Sequence, residues 1–153
     1  MFRSRIAIVA LMLIGAAVPG CGGTKRKPSG PSLDDQYRKA MAEPDLAVRA
    51  SQLLAIAERQ RKAADVLAME QSLNSAADAA KRMDDAKGKA LALNRVAEAL
   101  GRAERAAESR SLLREVSKAA DQISEPETKV TVLTRMAYTY GKHLNSPDIA
   151  ASY

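Results

Sequence analysis

Apolar and polar positions recur along this chain with a period of forty residues. The segment ALALNRVA, from Ala90 to Ala97, sets the pattern. Ala90, Leu93, Val96 and Ala97 are matched forty residues earlier by Ala50, Leu53, Ile56 and Ala57, and forty residues later by Val130, Leu133, Met136 and Ala137. Steps of three and four trace one face of an α-helix, so each set predicts an amphipathic helix. The unit reads as helix A, a short turn and helix B. The first A helix runs from about Leu46 to Ala63, with Ala50, Leu53, Ile56 or Ala57, and Gln60 facing inward. Ala64-Asp65 makes the turn, Asp65 being suited to cap the next helix. Helix B follows with Met69, Leu73, Ala76, Ala80 and Met83. The second unit spans Ala86 to Ala103 and Ala106 to Ile123, with Leu113, Val116, Ala120 and Ile123 in the matching B positions.

The pattern is incomplete at both ends. A third A helix begins at Pro126, where Pro needs no amide donor and Ser124 and Glu127 have capping-box spacing, and it ends near Leu144. Its inward face is read as Val130, Leu133, Met136, Ala137 and Tyr140. Asn145-Ser146-Pro147 is the next turn, and a B-like fragment follows in which Ile149 and Tyr153 stand opposite Met69/Ser109 and Leu73/Leu113. At the other end Leu33, Gln36, Ala40 and Glu43 align with Leu73, Ala76, Ala80 and Met83, making Ser32 to Ala42 a B helix without its A partner and an N-terminal cap. Turns this short force antiparallel neighbours. The predicted fold is all-α, a short α-solenoid of antiparallel helix hairpins with a forty-residue repeat over residues 33–153. Accidental periodicity in a plain bundle would not match in both helices of successive units.

Leu93, Ala97, Leu100 and the paired Ala119-Ala120, followed by Pro126, resemble the tetratricopeptide-like α-solenoids, stacked helix hairpins that bind other proteins. The likeness covers about Leu33 to Leu144. The period departs from the family's unit of about 34 residues, and Leu53, Leu93 and Leu133 stand where that family carries a large aromatic, so a HEAT-like solenoid is equally compatible. In such arrays the A helices line the concave surface. The resemblance therefore implies a groove for an acidic or extended peptide along Arg95, Glu98 and Arg102, echoed by Arg135, Tyr138 and Lys142 and, in the first unit, by Ala55, Glu58 and Lys62. The alternative is a solvated face laced by intrahelical ion pairs.

Ahead of the repeats, residues 1–20 have the layout of an export signal: Arg3 and Arg5, an apolar run from Ile6 to Val18, and small residues before Cys21. That run of thirteen residues falls short of the about 20 that a spanning helix needs. Val18-Pro19-Gly20-Cys21 resembles the lipobox of bacterial lipoproteins, with Pro19 departing from it, and this resemblance makes Cys21 the lipidation site and palmitate a modification to expect. Cys21 is also the sole cysteine, which excludes an internal disulfide. The alternative is an ordinary secretory signal cut near Ala16-Ala17, giving a secreted protein. Residues 21–32 are the lipidated cysteine and a flexible tether, rich in Gly, Pro and Ser, reaching about 35 Å when extended. Lys25, Arg26 and Lys27 add about 1 kcal/mol per charge on an anionic surface, assisting an acyl anchor without replacing it. Gly22, standing where the inner-membrane retention signal has Asp, favours the periplasmic face of the outer membrane in a source that has one.

Composition narrows the chemistry. Aromatics are 3% with no Trp, as suits helices packed through small residues. The 24 basic residues less Arg3 and Arg5 leave 22 against 18 acidic ones, or +4, interspersed along helical faces, which argues against nucleic acid as a partner. His143 is the single histidine, so neither a hydrolytic triad nor a histidine metal site can be assembled, and no glycine-rich loop follows a strand. Asp84 and Asp85 are explained by helix capping, and Gly101 and Gly141, at one repeat position, by close helix approach. The expectation is a non-enzyme without cofactor, metal or small-molecule substrate: an envelope scaffold that binds another protein, or else an accessory subunit of an envelope complex. A truncated third unit carrying Tyr138, Tyr140, Ile149 and Tyr153 adds a contact site, or a point of self-association, at the C-terminal end; the alternative is that the stub docks and the tyrosines are ordinary packing.

Overall fold

The computed structural model describes residues 30–145 together with Ile149, Ala151 and Ser152. The expected leader, Cys21, most of the tether and Tyr153 lie outside the described residues. Those described are all-α: α1 (Leu33–Met41), α2 (Leu46–Lys62), α3 (Val66–Lys81), α4 (Ala86–Arg102), α5 (Ala106–Asp121) and α6 (Pro126–His143).

The boundaries follow from local chemistry that repeats. Asp45 and Asp85 cap α2 and α4, each accepting from the amides of the second and third helical residues, Ala47 and Val48 in one case and Lys87 and Gly88 in the other. Asp65 caps α3 through the Ala68 amide at 3.2 Å. The A helices end in left-handed residues that are not glycine: Ala64 (φ 58°), Glu104 (φ 62°) and Asn145 (φ 48°). After α2 the Asp65 amide donates to the Gln60 carbonyl at 3.0 Å, and after α4 the Arg105 amide donates to Leu100 at 2.9 Å, the closing bonds of a Schellman motif. Ser124 does not cap α6. Pro126 occupies the first turn, and the residue before a proline is held extended, so Glu125 (φ −77°, ψ 112°) is the N-cap and Ser124 stands one residue too early.

Leu53, Leu73, Leu93 and Leu113, forty residues apart within each helix type, are fully buried. Each such side chain contributes about 1.5–3 kcal/mol through removal from water. Ala50, Ala76, Ala80, Ala90, Ala97 and Ala120 are buried between them and let the helices approach closely. One core pair changes character between units. Ser72 donates to Gln60 Oε1 at 2.8 Å in the first, and Leu112 and Leu100 occupy the same two positions in the second. A satisfied polar pair has been exchanged for an apolar one, the arrangement that leaves no orphan on either side.

Helices α2 and α4 pack on each other, as do α4 and α6, while α1, α3 and α5 pack chiefly on the A helices rather than on one another. Both ends depart from the sequence reading. In α1 only Ala40 is fully buried, and Leu33, Gln36 and, just past the helix, Glu43 are half-buried; among the described residues α1 has an A helix on one side only. In α6, Met136 and Tyr140 are buried as the sequence predicts, but Val130 is 63% exposed and Leu133 and Ala137 are half-buried, and Val132 and Thr139 turn inward in their place, toward α4 and α5. No B helix among the described residues covers the Val130 side. Ile149 is 43% exposed rather than inward. α6 has 18 residues where α2 and α4 have 17, so its left-handed residue arrives 41 positions after Glu104 instead of forty.

Candidate partner-binding groove

Successive A helices present facing stripes. Leu54, Glu58 and Arg61 of α2 face Arg95, Ala99 and Arg102 of α4 across a cleft of about 310 Å³, with Met69 and Leu73 of α3 at its floor. A second hollow of about 190 Å³ shares Ser51, Leu54 and Arg95 and extends the cleft toward Ala47 and Leu91. The surface is apolar below and charged at the rim.

Rim charges are mostly paired within their own helix. Arg61 holds both Glu58 oxygens, at 2.9 and 3.0 Å, and Lys62 approaches the same carboxylate at 3.9 Å. The Arg61 hydrogen bond keeps the Glu58 carboxyl below its usual range. Across the cleft Arg102 donates to Glu98 at 2.8 Å. Arg95 is exposed, with no ion-pair or hydrogen-bond partner among the described residues.

Of the residues singled out in the sequence, Arg95, Glu98, Arg102, Ala55 and Glu58 line this cleft. Arg135, Tyr138 and Lys142 do not join them. They are exposed on α6, where Lys142 lies 4.9 Å above the Tyr138 ring and donates to its hydroxyl. Tyr140 is core, 4% exposed, and presents nothing to a partner. Ile149 is exposed, and Cys21 and Tyr153 are outside the described residues. Sequence reasoning overlooked Leu54 and Arg61. Their signal was present, since 54, 58 and 61 share one helical face as 95, 99 and 102 do.

The next interval, between α4 and α6, is closed. Gly101 occupies the repeat position of Arg61, and a Cβ there would lie 2.7 Å from the Cβ of His143, so α6 rests directly on the glycine. The His143 side chain is 13% exposed, with Nε2 buried and lacking a hydrogen bond; its nearest anion is Glu98, 3.9 Å away. Burial lowers the imidazole pKa below 6.5, Glu98 opposing that and Arg102 and Lys142 reinforcing it. Asn94, on the stripe of Glu98 and Gly101, is 3% exposed, and its Oδ1 has no partner.

Among the described residues no cluster of three His, Cys, Asp or Glu side chains is placed to hold a metal ion, and no helix is long and apolar enough to cross a membrane. No protein-family model, curated protein or solved structure matches the chain.

Proposed function

We propose that this chain is a lipid-anchored scaffold of the cell envelope, held by Cys21 and its tether, whose stack of helix hairpins is a short tetratricopeptide-like or HEAT-like solenoid binding a segment of another protein between α2 and α4. The role is binding, not catalysis. One observation carries the reading. Along a single A layer the α2–α4 interval is left open as a cleft of about 310 Å³ with an unpaired Arg95 on its rim. The continuous contact among α2, α4 and α6, beside B helices that meet one another chiefly through polar side chains such as Tyr37–Ser75 and Lys81–Glu115, supports an A layer on the inner side of the stack. An extended segment suits the site: aliphatic side chains over Leu54 and Met69, and an acidic group at Arg95.

A photo-cross-linking residue at Ala99 in the cleft, compared with one at Ala107, tests this in cells. The expected result is a discrete adduct from Ala99 that Arg95→Glu abolishes while the fold, by circular dichroism, is kept. Equal adducts from both positions, or an adduct indifferent to Arg95→Glu, would sink it. Anchoring is tested separately: fatty-acid labelling of wild type and none of Cys21→Ser is the expected outcome, and an unlabelled wild type points to ordinary secretion.

The exposed Val130 side of α6, with half-buried Leu133 beside it, favours a second reading, that of an accessory subunit completed by its complex. Light scattering discriminates: an aggregating isolated protein supports the accessory subunit, and a monodisperse monomer supports the scaffold.

A further inference from the structure

We propose that His143 sets the charge of the α2–α4 cleft: a proton taken up from solvent at Nε2 draws the Glu98 carboxylate off Arg102 and frees that guanidinium to face the cleft beside Arg95. This rests on reading the cleft as the partner site.

Glu98 lies between two intervals of the A layer. One side of its carboxylate accepts from Arg102 at 2.8 Å on the rim of the open cleft. The same oxygen is 3.9 Å from His143 Nε2 in the closed α4–α6 contact. That separation is about 1 Å longer than a charge-assisted hydrogen bond, so a small swing of the carboxylate closes it. Nothing competes for the position, because Nε2 is buried without a partner. Nor can the imidazole retreat: its Cβ rests against Gly101, and the Tyr138 ring packs against it at 78°, the two ring centres 6.0 Å apart.

Every charged neighbour is accounted for. From α4 the imidazole is faced by Glu98 and Arg102. On its own helix Lys142 and Tyr138 flank it, and these two are engaged with each other. From α5, Arg110 is committed to the Leu144 carbonyl at 3.3 Å, and Ser109 contributes only a hydroxyl, itself bonded to the Ala97 carbonyl. Helix α2 enters indirectly, through Glu58, whose carboxylate senses Arg102. Glu98 is thus the one anion among these groups that a protonated His143 can recruit directly. The released Arg102 enters a cleft whose other pair, Glu58–Arg61, is already closed, and it adds a cation beside Arg95.

His143 is the only histidine, so its ring resonances in the full chain, solubilised in detergent and with no partner present, report the titration unambiguously. The expected result is a His143 midpoint below 6.5 with the Arg102 Nε–H resonance moving at the same midpoint. In Glu98→Gln the His143 midpoint falls further, since a favourable anion is gone, and Arg102 no longer follows. In His143→Gln the Arg102 resonance loses its response over this range. An Arg102 resonance that stays flat through the His143 titration, or that still moves in Glu98→Gln, overturns the proposal. Because the measurement uses no partner, its failure leaves the cross-linking result standing, and an absent cross-link with intact co-titration removes the partner site and not the switch.

Discussion

Two intervals of one A layer differ more than their sequences suggest. Between α2 and α4 the facing stripe is Leu54, Glu58 and Arg61; between α4 and α6 it is Asn94, Glu98 and Gly101, forty residues on. The glutamate is common to both. Its neighbours decide the outcome: the Arg61 side chain occupies the space between helices and a cleft remains, whereas Gly101 lets His143 settle on the helix and the cleft closes. The two intervals therefore differ at this repeat position, an arginine beside the cleft in one and a glycine under His143 in the other.

Removing the small residue is expected to have the largest effect. Gly101→Leu forces apart a contact with no room for a Cβ and costs about 2 kcal/mol, the range for overpacking, while Arg61→Leu stays within about 0.5 kcal/mol. Urea midpoints of the two variants measure the difference, and equal costs would mean that the glycine does not set the spacing. Asn94→Leu, which copies Leu54 into the closed interval, is expected to raise stability by about 1 kcal/mol by removing a buried acceptor without a partner. A loss of stability in the same assay would show that the amide is satisfied.

Acid sharpens the comparison further, because only the closed interval holds an imidazole. Its folded pKa is below 6.5, so as pH falls below 6.5 the unfolded chain takes up the proton first and stability falls, until the imidazole protonates in the folded chain as well. Glu58 and Glu125, held below 4.5 by Arg61 and by Thr128 with Lys87, add their own losses only at lower pH. In thermal melts His143→Gln should remove the slope in the upper window and leave the lower one. The smallest effect belongs to the ion pairs: at neutral pH Glu58→Gln and Glu98→Gln should each cost about 0.5 kcal/mol or less, as exposed intrahelical pairs do. A large cost for Glu98 alone would reveal a structural role in the α4–α6 contact.

Much of the fold was legible because burial repeats at fixed steps. The bounds of α2 to α5, the inward Leu53, Leu73, Leu93 and Leu113, and the Asp65 cap all follow from period and propensity. The third unit was read less well. A fixed forty-residue frame places Val130 and Ile149 inward, and both are exposed, with no helix among the described residues covering the Val130 side. The cleft was half visible. Arg95, Glu98 and Arg102 stand out as a charged stripe, but whether two stripes meet or part depends on the distance between helix axes, and period carries no information on that. Gly101 was paired with Gly141 as a recurrent feature, when the informative contrast was with Arg61.

The eighteenth residue of α6 also bears on how such a chain can lengthen. Copying the segment from α4 through α5 would add a unit in phase, since α2 and α4 begin and end forty residues apart and both end in a left-handed residue. A copy of α6 would behave otherwise: its exit lies about 1.5 Å further along the axis and about 100° around it. Duplication of the first kind extends the row, and duplication of the second turns a corner.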